Sequence, residues 1–237
     1  MINIMIDGRK VKAAEHSTVL KNLQDQKIEV PTLCFHKDLL PFGACRLCTV
    51  EVKTDGKWQL ASSCNTPVVP DMEIRTDSKK VKESRKLAAE LLYYRYPTTK
   101  AVRDIAVGLG IEVEPVKVEG NDCILCGLCI RACHEVVGVS ALTFLDRGLD
   151  RDVDEPKVDY LPTACIACGS CAFICPTGFV KMEETRGGKR RKIWGKEFKM
   201  AACKVCGRYF APLDQLKWIS KTTKTPLKKL MTCPSCK

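Results

Sequence analysis

The chain has 237 residues, sixteen of them cysteine, with 39 Lys and Arg against 28 Asp and Glu for a formal charge of +11. That length admits more than one domain, each needing its own core. No apolar run approaches the roughly 18 residues of a membrane span. Met1–Lys10 lacks the apolar h-region and small-residue cleavage site of a secretory signal, which argues against a disulfide-stapled secreted protein and for a reducing, cytoplasmic setting.

In chain order, the first 77 residues read as a small β-rich domain. Ile2, Ile4 and Ile6 alternate with Asn3 and Met5, and Asp7-Gly8 turns the chain into a second strand, Arg9–Ala13. Ser17-Thr18 can cap a short helix over Val19–Gln26. Thr49–Lys53 and Lys57–Ala61 flank Asp55-Gly56 as a second hairpin, and Met72–Thr76 reads as a closing strand. Strands, one helix and a cysteine loop between further strands suggest a β-grasp ferredoxin. Residues 78–119 read as a helical linker. Ser78 caps a helix with Val81, Leu87, Leu91 and Leu92 on its apolar face, and Pro97 ends it. Ala101–Leu109 is a shorter helix with Gly108 and Gly110 at its end. Residues 120–185 contain an internal repeat of two cysteine runs. Residues 186–237 open on the basic, Gly-containing run Arg186–Lys192, read as a linker, and end in a cysteine-bearing tail.

The cysteines fall into four groups of four, and pairs two residues apart suit chelation better than disulfide stapling, because a C-x2-C turn aims both thiolates at one ion. Cys123-x2-Cys126-x2-Cys129-x3-Cys133 and Cys165-x2-Cys168-x2-Cys171-x3-Cys175-Pro176 both match the bacterial two-cluster ferredoxin spacing. In that spacing three thiolates wrap one face of a cubane and the fourth crosses to the other. Cys123, Cys126, Cys129 and Cys175 are therefore expected to hold one [4Fe–4S] cluster, and Cys133, Cys165, Cys168 and Cys171 the second. Gly127 and Gly169 sit where bulk would crowd the sulfides. His134 follows Cys133 where the pattern usually has proline; a satisfied surface histidine is the expected role, and an imidazole that raises the potential of a nearby cluster is the alternative. Cys203-x2-Cys206-x26-Cys233-x2-Cys236 reads as a zinc ribbon, with iron as the competing ion. A tetrathiolate site carries about −2, so four sites remove roughly eight charges and leave the loaded chain near +3. That weakens any inference from charge to nucleic acid.

The N-terminal group, Cys34-x10-Cys45-x2-Cys48-x15-Cys64, lies in PTLCFHKDLLPFGACRLCTVEV followed by SSCNTPVVPDMEIRTDS. Over about residues 1–97 this stretch resembles the N-terminal [2Fe–2S] domain of the large iron–sulfur subunit of respiratory complex I. The same module occurs in the diaphorase-side iron–sulfur subunit of bidirectional hydrogenases and in [FeFe] hydrogenases. The resemblance implies that Cys34, Cys45, Cys48 and Cys64 bind a [2Fe–2S] cluster, with His36 and Arg46 serving packing or loop hydrogen bonding. In that family the helix after the β-grasp domain runs into His-Pro and three cysteines that bind a further [4Fe–4S] cluster. Here Tyr96 precedes Pro97 and no cysteine lies between Cys64 and Cys123, so that cluster is expected to be lost and the internal electron hop lengthened. Either the fold packs the centres closer, or a partner supplies an intermediate cluster, or the [2Fe–2S] centre serves a separate branch. The knuckle CKVCGRYFAPLDQLKWI resembles a tail of some ferredoxin-like subunits of hydrogenase and formate-linked complexes.

The expected fold class is α+β: a β-grasp [2Fe–2S] domain, a helical linker, a bacterial-type two-[4Fe–4S] ferredoxin domain and a small zinc ribbon. The expected function is that of a non-catalytic electron-transfer subunit in a soluble NAD(P)-linked complex. Hydrogenases, formate dehydrogenases and transhydrogenases, electron-bifurcating forms included, are the candidate complexes. Its expected partners are a flavin subunit that binds NAD(P)H and a second redox subunit or soluble ferredoxin. No nucleic acid or direct membrane contact is expected. No GxGxxG fingerprint supports a nucleotide site of its own, since Gly108 and Gly110 stand alone. A free-standing ferredoxin carrier is the alternative. A metal-sensing regulator acting on nucleic acid would leave three clusters with little to do.

Overall fold

The computed structural model describes residues 1–117, 120–154 and 165–237. Residues 118–119, at the end of the expected helical linker, and 155–164, inside the expected ferredoxin domain, lie outside the described residues. The chain forms two compact units, Met1–Cys126 and Gly127–Lys237. Among the described residues no helix is long and apolar enough to cross a membrane.

The first unit is built on a five-stranded mixed sheet. Its strands are β1 (Ile2–Ile6), β2 (Arg9–Ala13), β3 (Thr49–Thr54), β4 (Lys57–Ser62) and β5 (Glu73–Arg75), in the spatial order β2-β1-β5-β3-β4. The hairpins β1–β2 and β3–β4 are antiparallel, and β1 pairs parallel with β5. Asp7 clamps that parallel pair: its carboxylate accepts from the Thr76 backbone N–H at 2.8 Å and hydroxyl at 2.6 Å. Helix α1 (Val19–Asp25) is capped by the Thr18 hydroxyl, which accepts from the Lys21 N–H. Its Val19 and Leu23 join Ile4, Ile6, Val50, Val52 and Ile74 in one core. Full burial of each such side chain is worth about 1.5–3 kcal/mol.

Helix α2 (Lys79–Arg95), capped by Ser78, packs against β3. The apolar face expected from the sequence is corrected in part. Leu87 and Leu91 are 57% and 63% exposed, and the buried stripe is Val81, Arg85 and Ala89. The reason is Arg85, whose Nε donates to the Thr49 carbonyl at 2.8 Å and turns its own face onto the sheet. Helix α3 (Lys100–Gly108) follows, and its Val102 joins Leu33, Leu47, Ala89, Tyr96 and Ile124 in a second core.

In the second unit, helix α4 (Leu128–Arg131) continues as a π-turn over Ala132–Val136. Strands β6 (Thr143–Leu145) and β7 (Asp152–Asp154) form a hairpin, and helix α5 (Ser170–Ile174) carries the second cysteine run. Four further strands, β8 (Met182–Glu184), β9 (Arg190–Ile193), β10 (Lys196–Ala202) and β11 (Tyr209–Pro212), make an antiparallel sheet in the order β11-β10-β9-β8. Helices α6 (Leu213–Thr223) and α7 (Leu227–Leu230) complete the C-terminal module. The basic run expected as a linker is in fact turn and strand. Gly187 and Gly188 take positive φ, and Arg190–Ile193 pairs on both edges.

Candidate metal centres

The N-terminal cysteine loop lies beside α1. Cys48 and Cys64 are buried against Leu20, with Val30 and Phe35 at the margin. Cys34 is buried and Cys45 half-buried, and the Cys45 N–H donates to Cys34 Sγ at 3.4 Å. As thiols the four pair off. The Cys34 thiol hydrogen-bonds Cys45 and holds it down to about 5, while the Cys64 thiol does the same to Cys48, down to about 6. The donors Cys34 and Cys64 are pushed up in return, first by those hydrogen bonds and then by burial. The loop is shaped by left-handed backbone at Gly43 and Arg46. A Cβ on Gly43 would meet the Asn65 side chain at 2.8 Å. Arg46 Nη1 donates to the Ser62 hydroxyl at 2.7 Å, and His36 Nδ1 accepts from the Asp38 N–H at 3.3 Å. Both residues thus serve loop hydrogen bonding.

Where the complex I-like pattern has a histidine and three cysteines, this chain has packing and hydrogen bonds. Tyr96 is 9% exposed in the second core. Asp122 accepts from the hydroxyls of Thr98 at 3.1 Å and Thr99 at 2.9 Å, and the Gly120 N–H donates to the Thr98 carbonyl at 2.7 Å. These bonds pin the chain just ahead of Cys123. Cys45 and Cys126 both pack against this same core of Leu33, Leu47, Tyr96 and Ile124.

The two ferredoxin-like runs share a backbone signature. Leu125 and Ala167 have φ of 54° and 52°, and Gly127 and Gly169 have 71° and 87°, at equivalent places in each repeat. Left-handed non-glycine residues cost about 1–2 kcal/mol each, so their repetition marks loops built around something. Gly169 carries a further constraint: an added Cβ would meet Met182 Sδ at 2.6 Å. Cys133, Cys165, Cys168 and Cys171 line one apolar cavity with Leu142, Ile193 and Trp194 among its walls. The Ala141 N–H donates to Cys133 Sγ at 3.2 Å, and Trp194 Nε1 donates to Cys171 Sγ at 3.3 Å. Burial pushes the Cys171 thiol up. Burial also raises Cys175, but the Val180, Thr177 and Phe179 N–H groups and the Thr177 hydroxyl outweigh it, so that thiol is lowered overall. The missing proline after Cys133 has a visible consequence. His134 keeps its N–H, the helix runs on through Val136, and its Nδ1 lies 2.8 Å from the Ser140 hydroxyl. Pro176 instead follows the end of α5.

Cys203, Cys206, Cys233 and Cys236 bring their sulfurs within 4.8 Å of one another. Cys203 and Cys206 follow β10, and the other pair sits on the final 3₁₀ turn. The Val205 and Cys233 N–H groups donate to Cys203 Sγ at 3.4 and 3.3 Å. Backbone donors from Cys233, Cys206 and Val205 hold Cys203 down to about 6. Four converging sulfurs at this spacing fit one tetrahedral ion rather than a cubane. Trp194 was the residue that sequence reasoning missed. Its only signal is the unusual Trp-Gly pair at a hairpin tip.

Fold and sulfur-lined sites together define a multi-cluster iron–sulfur protein. Residues 1–79 match the 2Fe-2S iron-sulfur cluster binding domain, and residues 122–179 match the 4Fe-4S dicluster domain. The NADPH-Fe(3+) oxidoreductase subunit alpha of Geobacter sulfurreducens is 32% identical over 203 residues, covering 75% of this chain and 24% of that one. The NADP-reducing hydrogenase subunit HndD of Solidesulfovibrio fructosivorans is 30% identical over 209 residues, covering 75% and 35%. The mitochondrial NADH dehydrogenase (ubiquinone) iron-sulfur protein 1 of Solanum tuberosum is 29% identical over 203 residues, covering 75% and 27%. The chain thus spans about a quarter to a third of the length of these relatives. A chain in the crystal structure of an NAD+-reducing [NiFe]-hydrogenase in the H2-reduced state shares the fold, with a TM-score of 0.61 and 23% identity over 75% of this chain and 85% of that one.

Proposed function

We propose that this chain is the electron-relay subunit of a multi-subunit NAD(P)-linked oxidoreductase, passing electrons between a flavin subunit and a second redox partner. The observation that carries the reading is the shared core: Cys45, from the N-terminal group, and Cys126, from the first ferredoxin run, pack against the same apolar residues. Packing of both cysteines on one core supports a direct hop between the two groups without the missing cluster. The names of the relatives, which concern NADPH, NADP, NADH and ubiquinone chemistry, support an NAD(P)-linked complex. Sixteen cysteines held as metal ligands favour a reducing, cytoplasmic setting for it.

The proposed ligand sets are Cys34, Cys45, Cys48 and Cys64 for [2Fe–2S], and Cys123, Cys126, Cys129 and Cys175 for the first [4Fe–4S]. Cys133, Cys165, Cys168 and Cys171 hold the second, and Cys203, Cys206, Cys233 and Cys236 hold Zn²⁺. The clusters supply one-electron redox chemistry when bound. The chain supplies the rest: backbone N–H groups aimed at the sulfurs, apolar walls that limit water, and loops that fix the thiols.

Anaerobic purification of the chain from its native source tests the proposal. A stoichiometric flavoprotein in the same peak is expected. A chain that elutes alone with full cluster content would overturn the subunit reading in favour of the free carrier.

A further inference from the structure

Trp194 stands at the tip of the β9–β10 hairpin, the first residue of the two-residue loop that joins Ile193 to Lys196. It and Gly195 have φ of 52° and 70°. Two left-handed residues make a type I′ turn, whose first position favours Asn, Asp or Gly. A bulky side chain there is an outlier, kept only where surrounding contacts over-determine it. Those contacts lead to the second ferredoxin run. The indole N–H, a donor with no acceptor capacity, points at Cys171 Sγ from 3.3 Å. The ring lies edge-on to Phe179, with centroids 6.4 Å apart. The hairpin is held in place independently of the indole: Arg191 Nη1 donates to the Ala167 carbonyl at 2.9 Å, inside the Cys165–Cys168 turn. Ile193, 2% exposed, and Trp194 form part of the wall of the cavity that Cys133, Cys165, Cys168 and Cys171 also line.

We propose that Trp194, carried in by the C-terminal module, is a tuning residue for the [4Fe–4S] cluster of Cys133, Cys165, Cys168 and Cys171. The inference rests on the ligand set proposed above. A hydrogen bond to a ligating sulfur stabilises the extra negative charge of the reduced cluster, which raises its potential. The strain at the hairpin tip is the cost of placing that donor. The ring also walls the cavity that the buried Cys171 lines, so the C-terminal module would both tune this cluster and help shelter it.

The test uses the full chain, loaded and handled anaerobically. In the Trp194→Phe variant the ring stays and the donor goes. An EPR-monitored redox titration is expected to show one [4Fe–4S] cluster shifted to lower potential, with the [2Fe–2S] and the other [4Fe–4S] unmoved. Unchanged potentials at full iron content would overturn the inference. A measurement on the unsubstituted protein does not depend on the variant loading. With tryptophan labelled with ¹⁵N in the indole ring, pulsed EPR of the reduced protein is expected to detect one ¹⁵N coupled to a [4Fe–4S] cluster. A cubane signal without that coupling overturns the inference alone, whereas no cubane signal at all overturns the ligand set beneath it.

Discussion

Cys206 and Cys233 place their sulfurs 3.8 Å apart, and four Zn–S bonds of about 2.3 Å in a tetrahedron require a sulfur–sulfur edge of about 3.8 Å. Among the described residues, it is this group whose four sulfurs all lie within 4.8 Å of one another. Cys233→Ser removes a buried member of the proposed zinc set. The zinc content should then fall from one per chain to near zero by elemental analysis, while the [2Fe–2S] EPR signal stays, because the first unit has its own core. Zinc retained at one per chain would refute the assignment. The C-terminal group was legible at this scale because its paired C-x2-C spacing alone encodes it. Trp194 was not, since an isolated tryptophan carries no motif and its partner sulfur is 23 residues away. Tyr96 was legible only as a missing histidine. That it fills a core took the structure to show.

Helix α2 shows why an element can be found and its face misjudged. Its boundaries follow from Ser78 and Pro97, but the buried stripe contains Arg85, and hydrophobic periodicity cannot count a buried arginine as inward-facing. The exposed Leu87 and Leu91 should accordingly tolerate replacement. The double substitution Leu87→Gln and Leu91→Gln is expected to change unfolding free energy by less than about 1 kcal/mol. Ala89→Leu, by contrast, overpacks the second core and should cost about 1–3 kcal/mol in chemical denaturation. The reverse ranking would restore the leucine-inward face. Strand β9 was hidden for a related reason: a run of Arg and Lys reads as a solvated linker until pairing on both edges fixes it. The segment from Tyr96 to Asp122 makes its own prediction. Asp122→Ala leaves the Thr98 and Thr99 hydroxyls without their acceptor. Amide exchange over residues 120–122 should accelerate and the first [4Fe–4S] cluster should be lost faster on exposure to air. Exchange at the parent rate would show that those hydrogen bonds do not hold the loop.

The molecule combines a [2Fe–2S] domain, a 4Fe–4S dicluster domain and a tetrathiolate C-terminal module in a chain about a quarter to a third as long as the relatives it resembles. Its order of domains was legible in the sequence, because each carries its own cysteine spacing. Two packing links, one inside each compact unit, were not. One is the apolar core that Cys45 and Cys126 share, and the other is the docking of the C-terminal hairpin on the Cys165–Cys171 loop. Both depend on side chains with no pattern of their own. The central claim, that twelve cysteines hold three clusters and four hold one ion, is tested most directly by iron, sulfide and zinc analysis with Mössbauer spectroscopy on the anaerobically purified chain. About ten irons and ten sulfides, resolved as one [2Fe–2S] and two [4Fe–4S] clusters, are expected with one zinc per chain. About six irons with a single cubane, or zinc in place of iron in the ferredoxin runs, would contradict it.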